Sequence, residues 1–141
     1  MKYGLSKAVP YCYEKAVERV TEELKKEGFG VLTTIDVRAT LNQKLNVDFD
    51  KYVILGACAD PTDSIGKASL RDNPPFAHQG LLAEEEVGLL FPCNVIVDEK
   101  EGKTTVGASA PMTIAQLSDN EKLRSIAGEV EKKIKKVLEA L

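Results

Sequence analysis

Two cysteines stand in the most apolar stretches of this chain, and its single histidine falls between them. Cys58 ends the run Tyr52-Val53-Ile54-Leu55-Gly56-Ala57-Cys58, and Cys93 lies within Leu89 to Val97, beside Asn94. His78 follows Pro75 closely in Pro74-Pro75-Phe76-Ala77-His78. Thiolate sulfur and neutral imidazole bind zinc or copper(I), and a thiolate beside a cation is a nucleophile. The candidate ligand-binding set is therefore Cys58, Pro75, His78, Cys93 and Asn94. Cys58, His78 and Cys93 form its thiol- or metal-dependent version. The competing reading is structural. Free cysteine is commonly a small buried hydrophobe, and a closed zinc site wants four ligands, usually including a tight local pair that this sequence lacks. On that reading no cofactor or metal is expected, and no catalytic residue is assigned. Asn94 either satisfies backbone groups at the distortion Pro92 introduces or points a polar group into a pocket.

Other chemistry-bearing residues are weaker. Cys12 sits near the start of a predicted helix, where backbone N–H groups favour a thiolate, but Glu14 opposes that effect. Gly66-Lys67-Ala68-Ser69 fails as a phosphate-binding loop, because Pro61 stands where the motif needs its first glycine and Ala68 where it needs Ser or Thr. Glu84-Glu85-Glu86 has no second acidic cluster to share a cation and reads as a solvated run. With one histidine and no identifiable hydroxyl or carboxylate partner for it, no Ser/His/Asp set can be assembled.

The chain has the size of one domain at 141 residues, with 43% hydrophobic content. Its 19 basic and 22 acidic side chains give a formal charge of −3, which disfavours nucleic acid and anionic membrane surfaces as partners. The first residues lack the apolar run of a secretory signal, and no window is long and apolar enough to span a membrane. A cytoplasmic protein is expected. The cysteines Cys12, Cys58 and Cys93 are odd in number and widely spaced, so no disulfide framework is expected.

The elements that must position these residues follow from periodicity. Met1 to Leu5 reads as a strand. Pro10 suits the first turn of a helix in which Tyr13, Ala16, Val17, Val20 and Leu24 recur on one face, stopped by Gly28. Val31 to Ile35 is a β-branched strand, and Asp36 caps a short helix carrying Val37, Leu41 and Leu45. Tyr52 to Ala57 is expected as a central strand. Ala59 to Asn73 reads as a solvated loop, and Phe76 to Leu82 as a short helix. Val87 to Val97 is expected as a strand bent at Pro92. Glu99 to Lys103 is a hairpin turn followed by the strand Thr104 to Ala108. Ser118 and Glu121 match a capping box opening a last helix, whose stripe runs from Leu123 to Leu141. Long terminal helices with strands gathered between them predict an α+β domain, its sheet largely antiparallel and both helices on one face.

In this order the chain also carries Glu27-Gly28-Phe29-Gly30-Val31-Leu32-Thr33, Ile35-Asp36-Val37, Ile54-Leu55-Gly56-Ala57-Cys58, Asn73-Pro74-Pro75-Phe76-Ala77, Gly88-Leu89-Leu90, Pro92-Cys93-Asn94-Val95 and Pro111-Met112. In these segments it resembles the bacterial and archaeal proteins grouped as domain of unknown function 302, over essentially residues 1–141. The resemblance implies a TATA-binding-protein-like α+β fold, strand–helix–strands–helix, and a homodimer. It implies no activity. The expected function is thus a small homodimeric binding or interaction module, its partners a second copy and a small-molecule ligand. One departure stands out. Family members pass almost directly from Gly-Ala-Cys to Asn-Pro-Pro, whereas here a polar insertion at about 59–72 separates Cys58 from Asn73.

Overall fold

The computed structural model describes residues 3–59 and 76–141. Its elements run β1 (Gly4–Val9), α1 (Tyr13–Lys26), β2 (Phe29–Asp36), α2 (Val37–Leu45), β3 (Lys51–Ala59), α3 (Phe76–Ala83), a 3₁₀ helix (Glu85–Leu90), β4 (Cys93–Lys100), β5 (Lys103–Ser109), α4 (Pro111–Ala115) and α5 (Glu121–Glu139). The strands form one five-stranded sheet in the order β1-β5-β4-β3-β2. Every pairing is antiparallel. β4 is the middle strand, so the predicted central strand β3 lies one place off centre, still paired on both sides.

Strand alternation sorts the sheet into two faces. Val53, Leu55 and Ala57 of β3, Val95 and Val97 of β4, and Val106 and Ala108 of β5 face the core. Over them lie α1, through Ala16, Val20 and Leu24, and α5, through Ile126, Val130, Ile134, Val137 and Leu138. Each helix is amphipathic at the 3.6-residue period, so one stripe is buried and the lysines and glutamates remain outside. The opposite sheet face carries Ile35, Ile54 and Ile96 side by side, since Ile35 pairs with Ile54 and Ile54 with Ile96.

Local signals mostly act where the sequence places them. Asp36 accepts a hydrogen bond from the Ala39 amide at 2.9 Å and caps α2. Gly28 follows α1 at φ 84°, the left-handed conformation that glycine tolerates at a helix end. The β4–β5 hairpin turns on Glu101 and Gly102, both at positive φ (52° and 75°), as a two-residue turn matched to strand twist requires.

Five expectations are corrected. The first strand is described from Gly4 and runs past Leu5 to Val9, where pairing with β5 holds it, while Met1 and Lys2 lie outside the described residues. Pro10 precedes α1, whose N-cap is Cys12. The apolar run from Val87 is not one strand: Glu85–Leu90 is a 3₁₀ helix and β4 starts only at Cys93. A short continuous apolar run has no period to separate strand from helix, and Pro92 has no N–H to extend the ladder. The last helix is capped not by Ser118 but by Asn120, which accepts from the Leu123 amide at 3.1 Å. Ser118 is engaged elsewhere, donating to Glu84 Oε2 at 2.7 Å. Finally, Pro111–Ala115 forms a helical turn, α4, for which the sequence reading had no element. The polar insertion at 59–72 falls outside the described residues apart from Ala59, the last residue of β3.

Candidate functional site

At the end of the sheet where β3 finishes and β4 begins, the core opens into a cavity of about 60 Å³. Its floor is Phe29 of β2, Ala57 and Cys58 of β3, and Cys93 of β4. Leu90 and Phe91 close one side and Phe76 of α3 another. The roof comes from Pro111, Ile114 and Ala115 of α4 and from Leu123, Ile126, Ala127 and Val130 of α5. Among the described residues no charged side chain lines it. The space exists because small residues meet there. Ala57 and Cys93 are register partners across the floor, and Ala115 and Ala127 stand in the roof.

The roof is held by hydrogen bonds that reach across sequence. Ala110, the N-cap of α4, contributes no side-chain cap. Instead Glu131 of α5 accepts from the Met112 amide at 3.0 Å, placing a carboxylate at a helix N-terminus where it is stabilising. Asn120 donates through Nδ2 to the Ala83 carbonyl at 3.0 Å, tying the start of α5 to the end of α3. α1 is served in the same way. Cys12 makes no side-chain cap, and Glu99 of β4 accepts from the Tyr13 amide at 3.2 Å.

The structure separates the sequence-predicted site residues. Cys58 and Cys93 both contribute to the cavity wall. They are not equivalent, because Cys93 pairs with Ala57 and the alternation that turns Ala57 to the core puts Cys58 on the opposite face. Burial pushes the Cys93 thiol up to about 11, with the nearby Cys58 adding to the rise. Ser109 pulls slightly the other way, although its buried Oγ makes no hydrogen bond of good geometry. At neutral pH Cys93 is thus a protonated thiol, a poor nucleophile and a poor metal ligand. His78 is exposed on α3 and does not line the cavity. Asn94 is exposed on β4, opposite Gly56. Pro75 lies outside the described residues. Among the described residues no three His, Cys, Asp or Glu side chains are grouped to hold a metal ion. Cys12 is exposed at the start of α1.

Sequence reasoning found two wall residues and missed the rest. The roof residues Ala115 and Ala127 carry no chemical signal. Only the register between β3 and β4 and the docking of α4 on α5 bring them over Ala57 and Cys93.

Comparison with known proteins agrees with this architecture. The family model described as "Domain of unknown function DUF302" matches residues 5–64 and 70–141. The chain belongs to the DUF302 family. The internal gap in the match, residues 65–69, lies within the polar insertion read from the sequence. Among solved structures, the crystal structure of an uncharacterised conserved DUF302 protein from Bacillus stearothermophilus is similar at 28% identity and a TM-score of 0.82, covering 99% of this chain and 98% of that one. No curated protein matches. The α+β class and open antiparallel sheet expected of this DUF302 chain are the architecture observed. Among the described residues no helix is long and apolar enough to cross a membrane.

Proposed function

We propose that this DUF302 protein is a non-catalytic binding module whose ligand site is the apolar cavity between Cys93 and the α4–α5 roof. The observation that carries this reading is the wall itself: several separate elements converge on one apolar space, and among the described residues none brings a charged group to it. An apolar wall of this kind favours apolar guests, which fits a small uncharged hydrocarbon moiety rather than a polar substrate. Acid–base or nucleophilic work needs a titratable group near its operating pH, and the Cys93 thiol in the floor is held protonated. The test uses p-xylene as probe and backbone amide NMR as readout. Saturable shifts centred on Ala57, Cys93 and Ala127 are expected, and Ala127→Leu, which fills the space, removes them. Absence of saturable shifts up to the solubility limit of p-xylene overturns the reading.

The module acts as a homodimer through the outer sheet face. Support comes from the Ile35–Ile54–Ile96 row on the face away from α1 and α5. Leu32 on the same strand is exposed, as is Phe49, whose ring meets Tyr52 edge-on at 6.3 Å between centroids. A symmetric pair would remove this apolar surface from water. Sedimentation at micromolar concentration should give a dimer that Ile35→Lys converts to monomer, and a monomeric parent protein sinks the idea.

A further inference from the structure

A second apolar surface lies outside the cavity, on the shell formed by α3, the 3₁₀ helix and the loop between α4 and α5. Leu82 (69% exposed), Leu89 (88%) and Leu117 (82%) stand out in solvent there, with Leu81 and Leu90 partly exposed. Short contacts join the elements that carry them. Leu81 packs on the Cα of Gly88, the residue before Leu89: a Cβ there would sit 3.6 Å from Leu81 Cδ2. The Ser118–Glu84 bond (2.7 Å) and the Asn120–Ala83 bond (3.0 Å) hold the residue after Leu117 against the end of α3, next to Leu82.

The two segments that carry these leucines hold fixed charge of one sign. Residues 76–92 and 110–121 contain Glu84, Glu85, Glu86, Asp119 and Glu121 and no lysine or arginine. Elsewhere the chain mixes signs closely. Two cations of α5 stand at the edge of this surface: Arg124 reaches the Ser118 carbonyl at 3.1 Å and Asp119 at 3.9 Å, and Lys133 lies over the Phe76 ring at 5.9 Å. Leucines this exposed on adjoining elements mark an interaction surface. Its carboxylate border selects a cationic counterpart and repels an anionic lipid leaflet.

From this charge pattern we infer that the leucine surface docks a basic amphipathic helix of a partner protein, with apolar side chains on one helical face and lysines or arginines flanking them. The leucines supply the apolar contact, as in helix-in-groove recognition, and Glu85, Glu86 and Asp119 set orientation and raise the association rate. The surface works independently of the cavity, so the two readings fail separately.

The test is fluorescence anisotropy with a labelled leucine–lysine amphipathic peptide against the full chain, with its leucine–glutamate counterpart as control. Salt-sensitive binding of the lysine peptide alone is expected. Leu89→Ser/Leu117→Ser should weaken it by about tenfold or more. Glu85→Gln/Glu86→Gln should weaken it less and flatten its salt dependence. Both pairs are surface changes that leave the core intact. Ala127→Leu, which blocks p-xylene, and Ile35→Lys should leave the affinity unchanged. Equal binding of the two peptides, or no effect of the leucine pair, overturns the inference. Capture of the protein by anionic vesicles through these leucines overturns it in favour of a membrane. Loss of self-association in Leu89→Ser/Leu117→Ser overturns it in favour of a second copy.

Discussion

The two ends of the core are built on the same strands and the same helix, yet one is filled and the other is not. In the filled half Leu55, Val95 and Val97 meet Val20, Leu24, Ile134 and Val137, all essentially inaccessible to solvent. Two residues along β3, Leu55 gives way to Ala57, and two residues along β4, Val95 gives way to Cys93. On α5, Ala127 lies seven residues before Ile134, two turns away on the same stripe. Each step keeps the buried face and removes side-chain volume. The fold is thus indifferent to which half is filled. A cavity is a local choice of small side chains on a scaffold whose register is set elsewhere, and that makes the small residues the natural place to look for function.

This contrast can be broken most directly in the filled half. Leu55→Ala should lower unfolding free energy by about 2–5 kcal/mol, since the surrounding residues have no free volume into which to relax. Urea denaturation measures it. A loss below about 1 kcal/mol would mean that the two halves pack alike.

The next effect is on the cavity side and depends on pH. The folded Cys93 thiol titrates at about 11 against an ordinary value of 9.0. The folded state therefore holds its proton where the unfolded chain has released it. The associated stability is present below pH 9.0 and falls as pH rises toward about 11. With the thiol mostly buried, the loss amounts to about 2 kcal/mol. Denaturation midpoints measured across that window should decline, and Cys93→Ala should flatten the decline. An equal slope in the variant would place the thiol in water.

The smallest and sharpest test makes one chemical change in both halves. Ala16→Leu on α1 introduces a side chain where there is no space and should cost about 1–3 kcal/mol. Ala127→Leu on α5 grows into the cavity and should change stability by less than about 1 kcal/mol. Thermal unfolding of the two variants compares them under identical conditions. Similar losses would erase the distinction between the halves.

Some of this was legible from residues alone. The amphipathic period of α1 and α5, the Asp36 cap, the Gly28 stop and a hairpin turn around Gly102 are each fixed within a few positions of chain, so short-range physics decides them. The structure narrows the expected turn Glu99–Lys103 to Glu101 and Gly102. Leu89 and Leu90 misled because an apolar run without period fits a 3₁₀ helix as well as a strand. Ser118 misled because Asn120, two positions on, is an equally good cap, and Glu84 drew the Ser118 hydroxyl away. For the site, Cys58 and Cys93 were found by chemistry, but their inequality was not. Strand alternation sets it, and that depends on register.

By itself, the sequence determined the α+β class, the two amphipathic helices, the antiparallel hairpin, the acidic surface segments and the family, because these rest on local pattern and on composition. Only the tertiary structure decided that Ala57, Cys93, Ala115 and Ala127 line one apolar cavity, that His78 stands outside it, and that Glu99 and Glu131 cap helices remote from them in sequence. Those relations depend on strand register and helix docking. Such long-range geometry is fixed by the packing of the whole core and has no signature in any single segment.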